Sequence, residues 1–430
     1  MRQHTVIAAI AALLLTAVPN VAAADVTVAR TDRGQLTVGG MAQMLGFLQH
    51  LDDPSRNDDR VYLFLNRARL RANGTYEGYR VNMELALGGE ETVAAPSPGV
   101  SLGLLDLNLE IPLRVLGEGA YVKVGQFRVP YGRERLTYSG WSQFVERSVM
   151  DAGFKVGRDV GFALVLRPGP LTVIAGVFTG GGRDAPVRQI PQILGLPMLV
   201  ARVGAGNVDE DPFALKTTAF ELDGARYAFF VNGLYSGDSL IGHSTVLNVK
   251  LADKSLLLDP AWNPFIGRRP LVQGSFFQLG ADAAARVPVA GWNVSADVEL
   301  NWNGFINPYG VLHMAGGRAS VAAYRGGFEA GLRYAFLVPD AGMAASNISI
   351  AGSRDPIHEL TPALTWYIHG NHLKLVGDLP LMFGVPVFVE PNIGSYVGTQ
   401  VTGNSSVLAN GGTVGRQNVF EARLLLQGLF

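Results

Sequence analysis

Between Trp292 and Trp302 the sequence alternates without a break. Trp292, Val294, Ala296, Val298, Leu300 and Trp302 form one set, and Asn293, Ser295, Asp297, Glu299, Asn301 and Asn303 the other. A period of two places the sets on opposite faces of a β-strand. Tryptophan at both ends of the apolar face is what the two interfaces of a bilayer select, which leaves the polar face for a lumen. The pattern recurs. Tyr79, Val81, Met83, Leu85 and Leu87 oppose Arg80, Asn82 and Glu84; Leu105, Leu107, Leu109 and Ile111 oppose Asp106, Asn108 and Glu110. Phe328, Ala330, Leu332, Tyr334 and Phe336 oppose Glu329 and Arg333. Residues 171–178 and 213–222 alternate poorly and are assigned to strands only by their place in the series.

A soluble sandwich could alternate in the same way with its polar face outward, so composition has to decide. Charged residues make up 17% of the chain, against roughly 25% in soluble domains. Apolar residues reach 48%, yet no stretch after the N-terminal segment supplies the roughly 20 apolar residues of a membrane helix. Lipid offers no water to backbone N–H and C=O groups, so a membrane chain without such helices must close its strands into a barrel. The expected fold is all-β, a transmembrane antiparallel up-and-down barrel.

Short connections are read at Ala72-Asn73-Gly74, Pro168-Gly169-Pro170, Asp223-Gly224, Pro288–Gly291, Gly326-Gly327 and His369-Gly370-Asn371. Long ones are read near 50–60, 88–100, 128–158, 180–212, 237–274, 303–317, 338–356 and 384–417. Counting between them gives about sixteen strands, an even number that leaves both termini periplasmic.

The two ends of the chain agree with export. Arg2 and His4 precede the apolar stretch Val6–Val18, short of a bilayer span by roughly five residues. Ala22-Ala23-Ala24 then offers a cleavage site, so residues 1–24 are expected to be a signal peptide and 25–430 one barrel domain. At the other end Phe420, Ala422, Leu424, Leu426 and Gly428 lead to a terminal Phe430, the form of an outer-membrane assembly signal, with the barrel-assembly machinery as its partner. The absence of cysteine excludes disulfides, thiolate metal sites and a lipidated cysteine anchor. A net charge of −1 provides no basic field for nucleic acid.

Gly125-Gln126-Phe127-Arg128-Val129-Pro130-Tyr131-Gly132-Arg133-Glu134, then Phe144-Val145-Glu146-Arg147 and Gly157-Arg158-Asp159-Val160-Gly161, resemble the phosphate-selective porin O/P family. Asn66-Arg67-Ala68-Arg69-Leu70, Phe328–Tyr334 and Leu364-Thr365-Trp366-Tyr367 are similar to further strands of that family. The resemblance implies a sixteen-stranded homotrimer in the bacterial outer membrane whose third long loop folds into the lumen. It leaves the permeating solute open.

A porin selects by lumen width and by rings of charge. Residues 128–158 hold Arg128, Arg133, Arg135, Arg147, Lys155 and Arg158 against Glu134, Glu146 and Asp151, six positive and three negative, hence a local +3. Either these cations attract anions at a constriction, or the carboxylates neutralise them in a lattice of individually weak pairs. Arg67, Arg69 and Arg71 share one strand face, with Tyr62, Phe64, Ala68 and Leu70 read as its lipid side. Arginine at the lipid midplane costs roughly 2–4 kcal/mol, so the three must point inward or sit at a rim. There they form an anion track or pair with Glu84 and Asp106 across neighbouring strands. Arg80 and Lys123, on polar strand faces, join the anion-attracting set.

Other signals are weaker. Asn207-Val208-Asp209-Glu210-Asp211 has oxygen ligands in alternation, but proline at 212 and no bidentate glutamate make it a solvated extracellular loop rather than a calcium site. Gly180-Gly181-Gly182 precedes no helix and is no phosphate cradle. His369 and His372 flank a turn, and no metal or cofactor is expected. An outer-membrane hydrolase would need an activated nucleophile, and His243-Ser244 has no partner to activate it. A plugged receptor lacks a plug domain, and a sugar-specific pore lacks an aromatic slide. The sequence therefore describes a passive porin for small hydrophilic solutes, leaning to anions such as phosphate, with a general diffusion porin as the alternative.

Overall fold

The computed structural model describes residues 25–51, 60–89, 102–154, 156–180, 197–207, 211–220, 222–240, 273–307, 310–339, 356–390, 394–397 and 413–430. The signal segment, the long loop near 88–100 apart from its edges, and Lys155 lie outside them.

Nineteen strands are described. They are β1 (Val26–Thr31), β2 (Gly34–Leu51), β3 (Arg60–Tyr76), β4 (Tyr79–Gly89), β5 (Gly103–Pro112), β6 (Tyr121–Arg128), β7 (Arg158–Leu166), β8 (Leu171–Phe178), β9 (Met198–Gly206) and β10 (Arg226–Leu240). The series continues with β11 (Gln273–Val289), β12 (Trp292–Asn307), β13 (Gly310–Arg325), β14 (Phe328–Pro339), β15 (Ile357–Asn371), β16 (Leu373–Asp378), β17 (Leu381–Glu390), β18 (Gly394–Val397) and β19 (Thr413–Leu429).

From β2 to β15 each strand pairs antiparallel with the next. β16 and β17 lie end to end and each pairs with both β15 and β19. They are one wall position, interrupted where Pro380 removes a ladder donor. β19 pairs with β2 from Val419↔Leu51 to Leu429↔Met41, which closes the ring. β1 folds back on β2 and β18 on β17 without adding a wall position. Nineteen strands less β1, β18 and one for the β16–β17 pair leave a closed barrel of sixteen.

At one end the strands are joined by tight turns. Glu77-Gly78, Ala290-Gly291 and Gly326-Gly327 all have positive φ at both central residues, the form whose twist suits a two-residue hairpin. The first of these corrects the sequence reading. The β3–β4 ladder runs through Asn73 and Gly74 to Tyr76↔Tyr79, and the chain reverses at Glu77-Gly78 rather than at Ala72-Asn73-Gly74. Likewise, 303–317 is no long loop, because β12 and β13 run to Asn307 and from Gly310. Residues 171–178 are strand β8, but 213–222 are not a strand; the strand of that region is Met198–Gly206, inside the stretch read as a loop.

β12 has the faces its alternation predicts. Trp292, Val298, Leu300 and Trp302 are exposed, while Ser295, Asp297, Glu299, Asn301 and Asn303 are buried. The last strand agrees, with Leu424 and Phe430 exposed and Glu421, Arg423 and Gln427 buried. Phe430 exchanges two main-chain hydrogen bonds with Gly40, and a Cβ at Gly40 would lie 2.5 Å from its ring.

β3 departs from simple alternation. Gln43 pairs with Arg67 but Met44 with Leu65, so Asn66 is an extra residue, a β-bulge. Beyond it the faces exchange. Val61, Leu63 and Leu65 are exposed, whereas Arg67 and Arg69 are buried. Tyr62 and Phe64 are therefore not on the lipid side, as the sequence suggests. They pack against an inner cluster of Leu45, Phe47, Val145, Val376 and Leu425, with Phe47 stacked on Tyr62 at 4.6 Å. A second shift between Glu84 and Leu85 leaves Leu105 without a partner, and its side chain is buried.

Because one residue of slip turns every later side chain to the other face, deleting Asn66 should either bury the Val61–Leu65 set or push Arg67 and Arg69 outward at roughly 2–4 kcal/mol each. The deletion variant should fail to give the heat-modifiable folded band in electrophoresis, whereas Asn66→Ala should still give it. A folded deletion variant would mean that the bulge does not hold the register.

Candidate pore constriction

The segment between β6 and β7 is the third connection at the loop end of the barrel. Its neck is closed by Val129 N–H donating to the Gly157 carbonyl at 3.1 Å. Within it, two helical turns, Arg133–Leu136 and Val149–Phe154, are separated by the tight turn Ser139–Trp141. So broken a backbone leaves many main-chain groups without internal partners, and buried groups of that kind must find them elsewhere. Strand side chains supply them. Glu299 of β12 accepts from Glu134 N–H at 2.8 Å, Asp378 of β16 from Val145 N–H at 3.0 Å, and Glu359 of β15 from Val149 N–H at 2.7 Å. Asn371, Lys374 and Gln427 donate to the Gly140 carbonyl at 2.8, 3.1 and 3.0 Å. Gln278 donates to the Phe154 carbonyl at 3.1 Å.

Side-chain bonds extend the set. Tyr131 donates to Asn301 at 2.9 Å, Arg133 to Asp282 at 2.9 Å, and Gln143 to Ser295 at 2.6 Å and to Glu329. Asn66 and Arg67 of β3 donate to Glu146 at 2.8 and 2.9 Å, and Val145 joins the inner cluster of β2, β16 and β19. The segment thus holds partners on β2, β3, β11, β12, β14, β15, β16 and β19.

The arginines expected to attract anions are brought together, but mostly with carboxylates. Arg67 meets Glu146 at 2.9 Å, Arg69 meets Glu84 at 3.3 Å and Arg71 meets Asp25 at 2.7 Å. Of the pairings weighed from sequence, Arg69–Glu84 is present, and Arg158 bridges Glu84 at 2.8 Å and Asp106 at 2.9 Å. Lys123 sits 2.9 Å from Glu110, Arg133 2.9 Å from Asp282 and Arg135 3.3 Å from Asp151. Arg80 lies at the turn end, exposed, 3.8 Å from Glu110. Two guanidiniums behave differently. Arg128 donates to the Leu136 and Thr137 carbonyls at 3.0 and 3.1 Å. Arg147 donates to the Glu134 and Thr137 carbonyls at 3.3 and 3.2 Å, with Asp151 only at 4.0 Å.

Arg69, Arg71 and Arg128 also gather round one ring, their guanidinium carbons 5.6, 5.6 and 5.7 Å from the centroid of Tyr138, within cation–π range. Burial, and then the charge of Glu84, push the Tyr138 phenol up from its ordinary value. It stays a neutral donor, 3.3 Å from Glu84.

Sequence reasoning left four further wall cations, on β9, β13, β14 and β19, out of the candidate set. Arg202 and Asp282 meet at 2.6 Å, Arg423 and Asp378 at 2.7 Å, and Arg333 and Glu359 at 2.5 Å. Arg318 lies 3.5 Å from both Glu134 and Glu299. Each is a polar member of a period-two strand, so alternation alone would have found them. Among the described residues no group of histidine and carboxylates could hold a metal. Asn207, read as part of an extracellular loop, lies at the turn end: its neighbour Gly206 donates to Pro170 at 3.0 Å.

Against the third connection lies a cavity lined by Arg67, Arg147, Arg318 and Arg333, by Glu134 and Glu146, and by hydroxyls that include Ser142, Thr217 and Ser320. Four guanidiniums less two carboxylates leave the lining itself at +2, with Glu299 and Glu359 standing behind Arg318 and Arg333 at 3.5 and 2.5 Å.

Residues 35–189 match the family model of phosphate-selective porin O and P. The sequence matches none of the curated proteins. Among solved structures, the fold is similar to an anion-selective porin from Comamonas acidovorans (12% identity, 92% of this chain and 100% of that one, TM-score 0.55). It is also similar to the outer-membrane channel DcaP of Acinetobacter baumannii (10%, 94% and 100%, 0.54). The trimer form of in-vitro folded OmpT of Vibrio cholerae follows (10%, 93% and 100%, 0.50). At such identities the likeness is one of fold.

Glu359 holds both the Val149 turn and Arg333, and its side chain is buried. Glu359→Ala should therefore lower unfolding free energy by about 3–5 kcal/mol, the cost of leaving a buried charge without its partner. Urea titration of the barrel would measure it; an unchanged midpoint would mean that this pair does not fasten the segment.

Proposed function

We propose that this outer-membrane porin, whose residues 35–189 match the family model of phosphate-selective porin O and P, conducts small hydrophilic solutes passively with a weak preference for anions. In this reading residues 128–158 fold into the lumen as its constriction. Partners on eight of the wall's strands support that placement, since a segment lying on one rim could not reach both β3 and β12.

The charge of the cavity carries the preference. Its lining is +2 although the whole chain is −1. A permeating ion inside a narrow, poorly screened passage responds to the lining rather than to distant surface charge. Arg147 lines this cavity and donates to the Glu134 and Thr137 carbonyls, which leave its charge in place. The carboxylate partners of Arg67, Arg69, Arg133 and Arg158 favour a second reading, a general diffusion channel whose lattice of ion pairs shapes the lumen without selecting.

The signal peptide over residues 1–24, with maturation at Asp25, belongs to the same reading. So does a homotrimer, by likeness to the trimer form of OmpT. Phe430 is read as the contact for the barrel-assembly machinery. Its removal should lower the amount of protein reaching the outer membrane without altering single-channel conductance; normal levels would remove it from that role.

Arg147→Glu decides between the two readings, because it takes the lining from +2 (four cations, two anions) to zero (three and three). In a bilayer with a salt gradient the zero-current potential should move towards cations, most at low salt, where the Debye length exceeds about 10 Å. No movement would favour the general diffusion channel.

A further inference from the structure

The connection between β9 and β10 belongs to the turn end, where neighbouring strands are joined by pairs such as Ala290-Gly291. Yet it runs over residues 207–225, and its described part is largely buried: Phe213, Leu215, Thr217, Thr218 and Ala219 are all shielded. A solvated turn would not be.

Its two ends contact opposite walls. Phe213 meets Phe127 of β6 edge-on at 5.5 Å, beneath the Lys123 ammonium, which is 4.5 Å from its ring centroid. Seven residues on, Phe220 stacks on Tyr367 of β15 at 5.0 Å and meets Tyr324 of β13 edge-on at 5.4 Å. In the ring of sixteen, β13 lies seven places from β6 in one direction and β15 seven in the other. Seven extended residues reach roughly 23 Å, so the segment has the length to cross a barrel interior.

Midway it is fastened to the third connection. Tyr138 N–H donates to the Leu215 carbonyl and Leu215 N–H to the Leu136 carbonyl, both at 3.0 Å, in a parallel bridge between Thr137 and Leu215. Thr217 donates through N–H and hydroxyl to the Trp141 carbonyl at 3.3 and 3.0 Å. The Arg286 guanidinium of β11 donates to the Lys216 and Thr217 carbonyls. Lys216 itself is exposed, its ammonium 4.6 Å from the Trp141 ring centroid.

We propose that Asp211–Phe220 is a strap across the periplasmic mouth that sets the size limit of the permeating solute. It rests on the passive-channel reading above and adds to it a narrowing made by the strap, which adjoins the charge-sensing one where Thr217 joins the same cavity lining. The third connection presents guanidiniums to the solute; the strap, held at its ends by Phe213 and Phe220, presents main chain, hydroxyls and the single ammonium of Lys216. Size is therefore limited at the strap and charge at the third connection. Small inorganic ions pass both, and larger neutral solutes are held back at the strap.

The chain has no cysteine, so introduced pairs report cleanly. Thr137→Cys with Leu215→Cys should form a disulfide in the folded barrel, since bridged residues lie within the reach of one. Gln143→Cys with Ser295→Cys, joined by a short bifunctional thiol reagent that spans the reach of the glutamine side chain, is the reference for the third connection alone. Replacing residues 207–225 by a short Gly-Ser turn should at least double single-channel conductance in potassium chloride and admit larger neutral sugars in a liposome-swelling assay. Phe213→Ala with Phe220→Ala should move both in the same direction. A reference pair that cross-links while the strap pair does not would overturn the strap and leave the constriction standing. Failure of both pairs in folded protein would overturn both. Conductance and sugar cut-off unchanged in folded strap variants would equally defeat the proposal.

Discussion

Every backbone N–H and C=O within lipid needs a partner in the protein, and that requirement shapes the rest of this molecule. It forces the ring of strands to close, which β19 does by pairing with β2 over eleven residue pairs and by the exchange between Phe430 and Gly40. Closure in turn creates an interior lined by the alternate residues of each strand. Because sixteen strands enclose more space than their own side chains occupy, the interior has to be filled, left to water, or both.

The interior is polar, and it is organised by charge. Arginines and carboxylates face one another there, as in Arg133–Asp282–Arg202 and Arg423–Asp378. Buried ion pairs gain little net stability, since desolvation offsets most of their attraction, but losing one partner is costly. Their value here lies in geometry. Carboxylates anchored to the wall present acceptors at fixed positions, and the broken backbone of residues 129–157 hangs its N–H groups on Glu299, Asp378 and Glu359. The apolar patch exposed inward by the bulge at Asn66 holds Val145 of the same segment. Wall chemistry and segment conformation are thus one system.

How much of this was legible follows from which signals are local. Alternation in β12 and in the last strand assigned faces correctly, because period two is a property of neighbouring residues. The bulge at Asn66 was invisible, since Tyr62 and Phe64 look like lipid-facing residues until the partner strand's register is known. The turn at Glu77-Gly78 was misplaced to Asn73-Gly74 because both pairs carry turn chemistry and only the ladder distinguishes them. For the site, sequence offers Arg67, Arg69, Arg128, Arg133, Arg147 and Arg158 as candidates, but does not tell which of them face carboxylates. Pairings such as Arg67–Glu146 and Arg133–Asp282 join residues far apart in the chain. Counting alone puts a strand at 213–222, because the packing of Phe213 against Phe127 and of Phe220 against Tyr367 depends on contacts across the whole ring.

In the proposed function a passive channel draws its preference among ions from a cavity lining of +2. The most direct measurement is the zero-current potential of the reconstituted wild-type channel under a fixed salt ratio, repeated as mean salt is raised. Screening lengths fall from about 30 Å at 0.01 M to about 3 Å at 1 M. The account expects an anion preference that is clear at low salt and fades as salt increases. A preference for cations at low salt would contradict it.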